Sequence, residues 1–118
     1  MDPAKQLAYG RIAVGAASYA TPRLAGGAFG LRAADNPQAP YLARLFGARD
    51  AILGAGALLS EGSARTGWIK AGIAADVADA AAALLSRKES ALAPRQGLFL
   101  TGIALVGAAV GFKALRDA

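Results

Sequence analysis

QGLFLTGIALVGAAVGF, from Gln96 to Phe112, runs 17 residues without a charge, and Lys113 and Arg116 follow it. As an α-helix at about 1.5 Å per residue it measures roughly 25 Å, close to the thickness of a bilayer's hydrocarbon core. The two cations suit a snorkelling end, in which a long stem lies along apolar surface while the charge reaches water. Pro94-Arg95 opens the segment, proline being tolerated in a first helical turn. Working outward from this stretch, the expectation is an all-α protein: an antiparallel bundle of about four transmembrane helices, forming one domain over residues 1–118.

Three more apolar segments precede it. The first runs from about Ala4 to Ala20 and stops at Thr21-Pro22-Arg23, with Leu24 to Leu31 either a half-helix after a kink or an interfacial stretch. Arg32 to Pro40, holding Asp35-Asn36-Pro37, is the plainest loop. The second helix is expected from about Tyr41 to Ser60, with a tight turn at Glu61-Gly62-Ser63. The third runs from about Ala64 to Ser86 and ends at Arg87-Lys88-Glu89-Ser90. Short connections imply an up-down arrangement, and no sustained alternation argues for strands. Because charge interrupts the first three segments, a soluble four-helix bundle is the alternative architecture.

Composition points to the bilayer. Hydrophobic residues make up 55% of the 118, above the roughly 45–50% of soluble domains. Much of that is Ala, with 15 Gly and only 7% aromatics, so a soluble core would be built mostly from methyl groups and would be weak per residue. There is no Cys and no His. Disulfides, thiolate nucleophiles, imidazole bases and the commonest metal ligands are therefore missing, while carboxylate chemistry stays open. The net charge of +5 comes from Lys and Arg scattered singly among apolar runs, which fits membrane flanks better than a nucleic-acid surface. Asp2 and Pro3, with a lone Lys5, make a poor cleavable leader, so the first helix is expected to be retained.

The charges inside the second and third helices need a reason, since an unpaired charge near a bilayer centre costs about 2.5–3.5 kcal/mol. Counted from the turn near Gly62, Arg49 lies about 13 residues back and Asp76 about 14 forward, at equal depth. Arg44 and Asp79 fall level one turn deeper. The expected network is therefore Arg49–Asp76, with Arg44–Asp79 as a weaker second rung and Asp50 turned toward Arg11 of the first helix. It is either a structural lattice fixing helix register, an ion or proton path, or a polar ligand site. Gly107 and Gly111 form a small-xxx-small pair expected at a helix contact, and Gly26 with Gly30 a weaker one. Trp68, Tyr9, Tyr19 and Tyr41 read as interfacial anchors.

The run Leu45 to Gly54, containing Gly47-Ala48-Arg49-Asp50, and the run Ala71 to Ala80, containing Asp76 and Asp79, resemble a group of small uncharacterised actinobacterial membrane proteins. These carry a Gly-x-Arg-Asp motif in one helix and a paired-Asp motif in the next. The likeness extends to Gly10-Arg11 and to Tyr19 through Pro22, covering most of the chain. It implies four helices and importance for Arg49, Asp50, Asp76 and Asp79, and it brings no activity with it.

No catalytic, cofactor or metal set stands out. The leading expectation is a non-enzymatic structural or accessory subunit of a larger membrane assembly or homo-oligomer, multi-pass in the cell's inner (plasma) membrane. Its partners would be the lipid bilayer and a membrane protein complex or further copies of itself, with no nucleic acid. A transporter or ion-path component built on the Arg/Asp set is the alternative. A lipid-acting enzyme using Asp76 and Asp79 is the third. Cations divide too evenly between the two ends to orient the chain.

Overall fold

The computed structural model describes residues 2–88 and 94–117, and among these residues all regular secondary structure is α-helix. Five helices follow in order: α1 (Pro3–Ala20), α2 (Pro22–Ala28), α3 (Ala39–Leu59), α4 (Gly62–Lys88) and α5 (Pro94–Arg116). The fifth helix arises because Thr21 leaves helical geometry (φ −126°, ψ 64°) and Pro22 starts a new helix at its first position. The Leu24–Leu31 stretch is thus a short helix after a break, as one of the two sequence readings had it. The end of α4 that the sequence placed at Arg87–Ser90 runs partly outside the described residues.

Local signals explain the boundaries. Asp2 caps α1, its carboxylate accepting the Lys5 N–H at 2.8 Å, with Pro3 in the first turn. Gly30 ends α2 in the left-handed region (φ 80°), where Leu31 N–H donates to Gly26 O and Gly30 N–H to Gly27 O, a Schellman closure that a side chain at 30 would strain. The Asn36 carboxamide oxygen accepts the Gln38 N–H just ahead of α3. Gly62, at φ 59°, lets α4 begin with only two residues between it and the end of α3.

The helices alternate in direction, and small residues line their seams. From Ala4 through Ala8, Arg11, Gly15 and Ser18 to Pro22 the buried positions alternate by four and three as in coiled-coil packing, and Gly26 on α2 is buried after them. Facing them on α3 are Gly54, Asp50 and Gly47. A Cβ on Gly15 would come 2.5 Å from the Gly47 carbonyl oxygen, and one on Gly54 would come 2.6 Å from that of Ala8, so the two backbones are nearly touching. On the other side of the bundle α4 meets α5, where a Cβ on Gly111 would lie 2.6 Å from Ile73.

This close approach inverts the usual distribution of apolar bulk. Among the described residues, ten of thirteen buried hydrophobics are Ala, joined by Leu53, Ile69 and Ile73, whereas Leu24, Tyr41, Ile52, Leu59, Val106 and Phe112 are among nineteen large apolar side chains left exposed. One described helix, α5 over Arg95–Arg116, is long and apolar enough to cross a membrane by length and composition, with mean hydropathy 2.0. The other three long helices miss that measure because each holds charged residues along its length, among them Arg11, Asp50 and Asp76.

Candidate functional site

The polar centre of the bundle is built from one residue on each of three helices. Arg11 from α1 reaches between α3 and α4, and its Nη2 donates to Asp76 Oδ2 at 2.6 Å. Its Nη1 lies 3.3 Å from both Asp76 Oδ1 and Asp50 Oδ1. All three side chains are buried, at 9%, 8% and 10% exposure for Arg11, Asp50 and Asp76. Glycine makes the room. A Cβ on Gly72 would sit 2.9 Å from Arg11 Nη2, and one on Gly107 would sit 2.9 Å from Asp76 Oδ2. Gly72 precedes Asp76 by four residues and so shares its face of α4, which lets the guanidinium lie flat against the helix.

A second cluster lies one turn along α4 toward its C-terminus. Arg49 and Asp79 form a two-pronged ion pair, Nη1 to Oδ1 at 2.9 Å and Nη2 to Oδ2 at 2.5 Å. The Arg49 guanidinium lies 5.3 Å from the centre of the Phe46 ring, and Phe46 meets Phe29 edge-on at 5.4 Å, tying the pair to α2. The Arg49 Nε is buried and has no hydrogen-bond partner among the described residues. This pair is open to one side, Arg49 at 38% and Asp79 at 32% exposure.

The geometry corrects the expected register. Arg49 does not meet Asp76 but Asp79, and Asp76 belongs to Arg11. Side chains on a helix lean toward its N-terminus. Arg49 on α3 therefore extends away from the Gly62 turn, and the carboxylate it reaches is one turn farther along α4 than a level count of Cα atoms implies. Arg44 stands outside the network: it is exposed, and its Nε donates to the Tyr19 carbonyl at 3.3 Å. The contact of Asp50 with Arg11 matches the orientation read from the sequence. Gly107 and Gly111 do lie at a helix contact, with α4.

Trp68 differs in kind from an exposed anchor. It is half-buried, packs beside the cluster of Ala4, Ala8, Ala57, Ile69, Ile73 and Ala114, and its ring occupies the space a side chain on Gly56 would need. Tyr9, Tyr19 and Tyr41 are exposed. Gly72, Gly15 and Phe46 were not singled out from the sequence, and Gly47 only as the first residue of the Gly-x-Arg-Asp motif. For Gly72 the four-residue spacing to Asp76 was a usable signal, and for Phe46 the three-residue spacing to Arg49.

The chain matches no protein-family model, no curated protein and no solved structure. The site must be read from its own chemistry. Asp76 and Asp79 face different arginines, so they do not converge as a carboxylate pair. Among the described residues no three acidic side chains gather into a possible metal-ligand group. Two surface depressions, one beside Gly30, Gln96 and Phe99 and one beside Asp2, Arg65 and Asp117, include none of Arg11, Asp50 or Asp76 in their walls.

At the chain's N-terminal end, Asp2 also accepts from Arg65 Nη2 at 2.8 Å, joining the starts of α1 and α4. The Lys5 backbone N–H, assisted by Arg65, holds the exposed Asp2 carboxyl below the ordinary carboxylate range.

Proposed function

We propose that this protein is a small multi-pass membrane protein of the inner (plasma) membrane, with four membrane-crossing helices (α1, α3, α4, α5), and that it acts as a non-enzymatic structural subunit of a larger membrane assembly or of a homo-oligomer. The observation that carries the reading is the inverted distribution of side chains: large apolar groups face outward, while Ala, Gly and paired charges fill the interior. In water this arrangement leaves the hydrophobic drive unused, whereas in lipid it suits close backbone packing with polar groups satisfied inside. The 44 Å long axis agrees with a bilayer of about 40–45 Å including headgroups.

A subunit role is favoured by the Arg49–Asp79 pair. About a third of each side chain is open, and a partner helix covering it would remove a charge pair from lipid contact. The tight, glycine-lined Arg11 cluster favours a structural bond over a passage for solute. Resemblance to the actinobacterial group with Gly-x-Arg-Asp and paired-Asp helices agrees with this reading.

Alkaline carbonate extraction followed by native mass measurement in detergent tests it. The expected result is retention in the membrane pellet and a mass above that of one chain. Release into the supernatant would overturn the membrane reading, and a lone 11.8 kDa chain after gentle extraction would overturn the subunit role.

A further inference from the structure

We propose that the Arg11–Asp50–Asp76 cluster is a proton-binding site, and that Asp50 is the carboxyl that carries the proton. The inference starts from charge counted over the contacts. Arg49 and Asp79 match one to one, the two Nη nitrogens engaging both carboxylate oxygens. Arg11 spends Nη2 and part of Nη1 on the two oxygens of Asp76. Asp50 is left with one donor among the described residues, the same Arg11 Nη1 at 3.3 Å. Fully ionised, the buried three carry one positive and two negative charges, a net of −1.

Among the described residues no further cation hydrogen-bonds to the three. From α1 the group facing Asp50 is Arg11, and from α4 it is Asp76. On α3 itself the neighbouring Arg49 is turned to Asp79. α5 brings Gly107 against Asp76 and no titratable side chain. Arg44 and Lys70 are exposed. Because both carboxylates touch one nitrogen, Asp50 Oδ1 and Asp76 Oδ1 are no more than twice 3.3 Å apart. Two like charges that close, in a cluster about nine-tenths buried, repel each other with little solvent to screen them.

Proton uptake resolves the imbalance. One proton from solvent forms an O–H bond on an Asp50 oxygen, converting carboxylate to carboxylic acid with no other bond broken, and the cluster becomes neutral. The assignment falls on Asp50 rather than Asp76 because Asp76 would give up a 2.6 Å charge-assisted bond and its second contact, whereas Asp50 gives up one longer contact. The site thereby holds one exchangeable proton between three helices, and loss of that proton returns a negative charge to the interior. This extends past the subunit role and does not depend on it, since the cluster is buried whether or not a partner binds.

The test is infrared spectroscopy of the full chain in detergent or liposomes, followed in H2O and D2O from about pH 5 to about pH 9. The expected result is the carbonyl stretch of a single carboxylic acid at about pH 7, where exposed carboxyls are ionised, shifted in D2O, absent from Asp50→Asn and retained in Asp79→Asn. No carboxylic acid signal at about pH 7 in the parent overturns the proposal, and this arm holds even if Asp50→Asn fails to fold. A signal that survives in Asp50→Asn moves the proton elsewhere and also overturns it. So does a signal present in choline chloride and abolished by sodium chloride at equal ionic strength, which would make the neutralising ligand a monovalent metal cation.

Discussion

Asp76 and Asp79 lie one turn apart on the same helix, and each meets an arginine, yet their surroundings differ. Asp76 is enclosed by α1, α3 and α5, with Gly72 and Gly107 opening space for it and its partner. Asp79 meets Arg49 at the edge of the bundle, where a third of each side chain is open. The same pairing chemistry serves two ends. Inside, it joins three helices; at the edge, it joins two and stays partly open. Burial decides which of these a charge pair becomes, because the penalty for leaving a charge unpartnered grows as solvent is removed.

The largest test of that contrast is Arg11→Ala. It removes the donor shared by Asp50 and Asp76 and strands the Asp76 carboxylate in the interior, and loss of about 3–5 kcal/mol is expected, read as a lower melting temperature in detergent. Combining Arg11→Leu with Asp50→Asn and Asp76→Leu removes the stranded charge and should recover much of the loss. If the single variant melts with the parent, the central cluster does not hold the helices together.

Next comes the seam that lets Arg11 reach its partners. Gly47→Val places methyl groups against the backbone of α1 near Gly15 and Tyr19, where no flexible side chain can yield. Overpacking of this kind costs about 1–3 kcal/mol. Gly10→Ala is the control: it meets nothing within 4 Å and should be neutral or stabilising by about 0.5–1 kcal/mol. Equal effects at the two glycines would mean that α1 and α3 are not in close contact.

The edge pair should respond less in stability and more in assembly. Asp79→Asn is expected to cost about 1 kcal/mol or less, in line with partly exposed pairs, while lowering the native mass if a partner covers this face. Exchanging the two, Arg49→Asp with Asp79→Arg, should restore most of that stability. A loss as large as that of Arg11→Ala would erase the distinction between edge and centre.

The smallest effect is expected at Asp2. Its carboxyl is held low by the Lys5 N–H and by Arg65, so its contribution to stability is present above the free carboxyl value of 3.8 and is lost as pH falls through the lower folded value. Melting followed downward from about pH 5 should show a slight decline that Asp2→Asn, which retains the cap, makes shallower. An unchanged acid profile in that variant would remove Asp2 from the ties between α1 and α4.

The sequence by itself determined the helical class, the positions of the long helices to within a few residues, and the presence of charges that had to be answered. Apolar runs bounded by Pro, Gly and cations carry that information locally, so the break at Pro22, the loop through Asn36-Pro37 and the start of α5 at Pro94 were all legible. The contact of Asp50 with Arg11 was also within reach, since Asp50 points about 100° from Arg49 around the helix. What only the tertiary structure decided was which carboxylate each arginine takes. Counting Cα positions from a turn fixes depth along the helices but omits the lean of side chains toward the helix N-terminus and the length of the arginine stem. Those two quantities moved Arg49 from Asp76 to Asp79, released Arg44 to the Tyr19 carbonyl and gave Asp76 to Arg11. The glycines followed the same rule: Gly72 and Gly107 gained meaning only when the helices came together and a guanidinium and a carboxylate filled the space they leave.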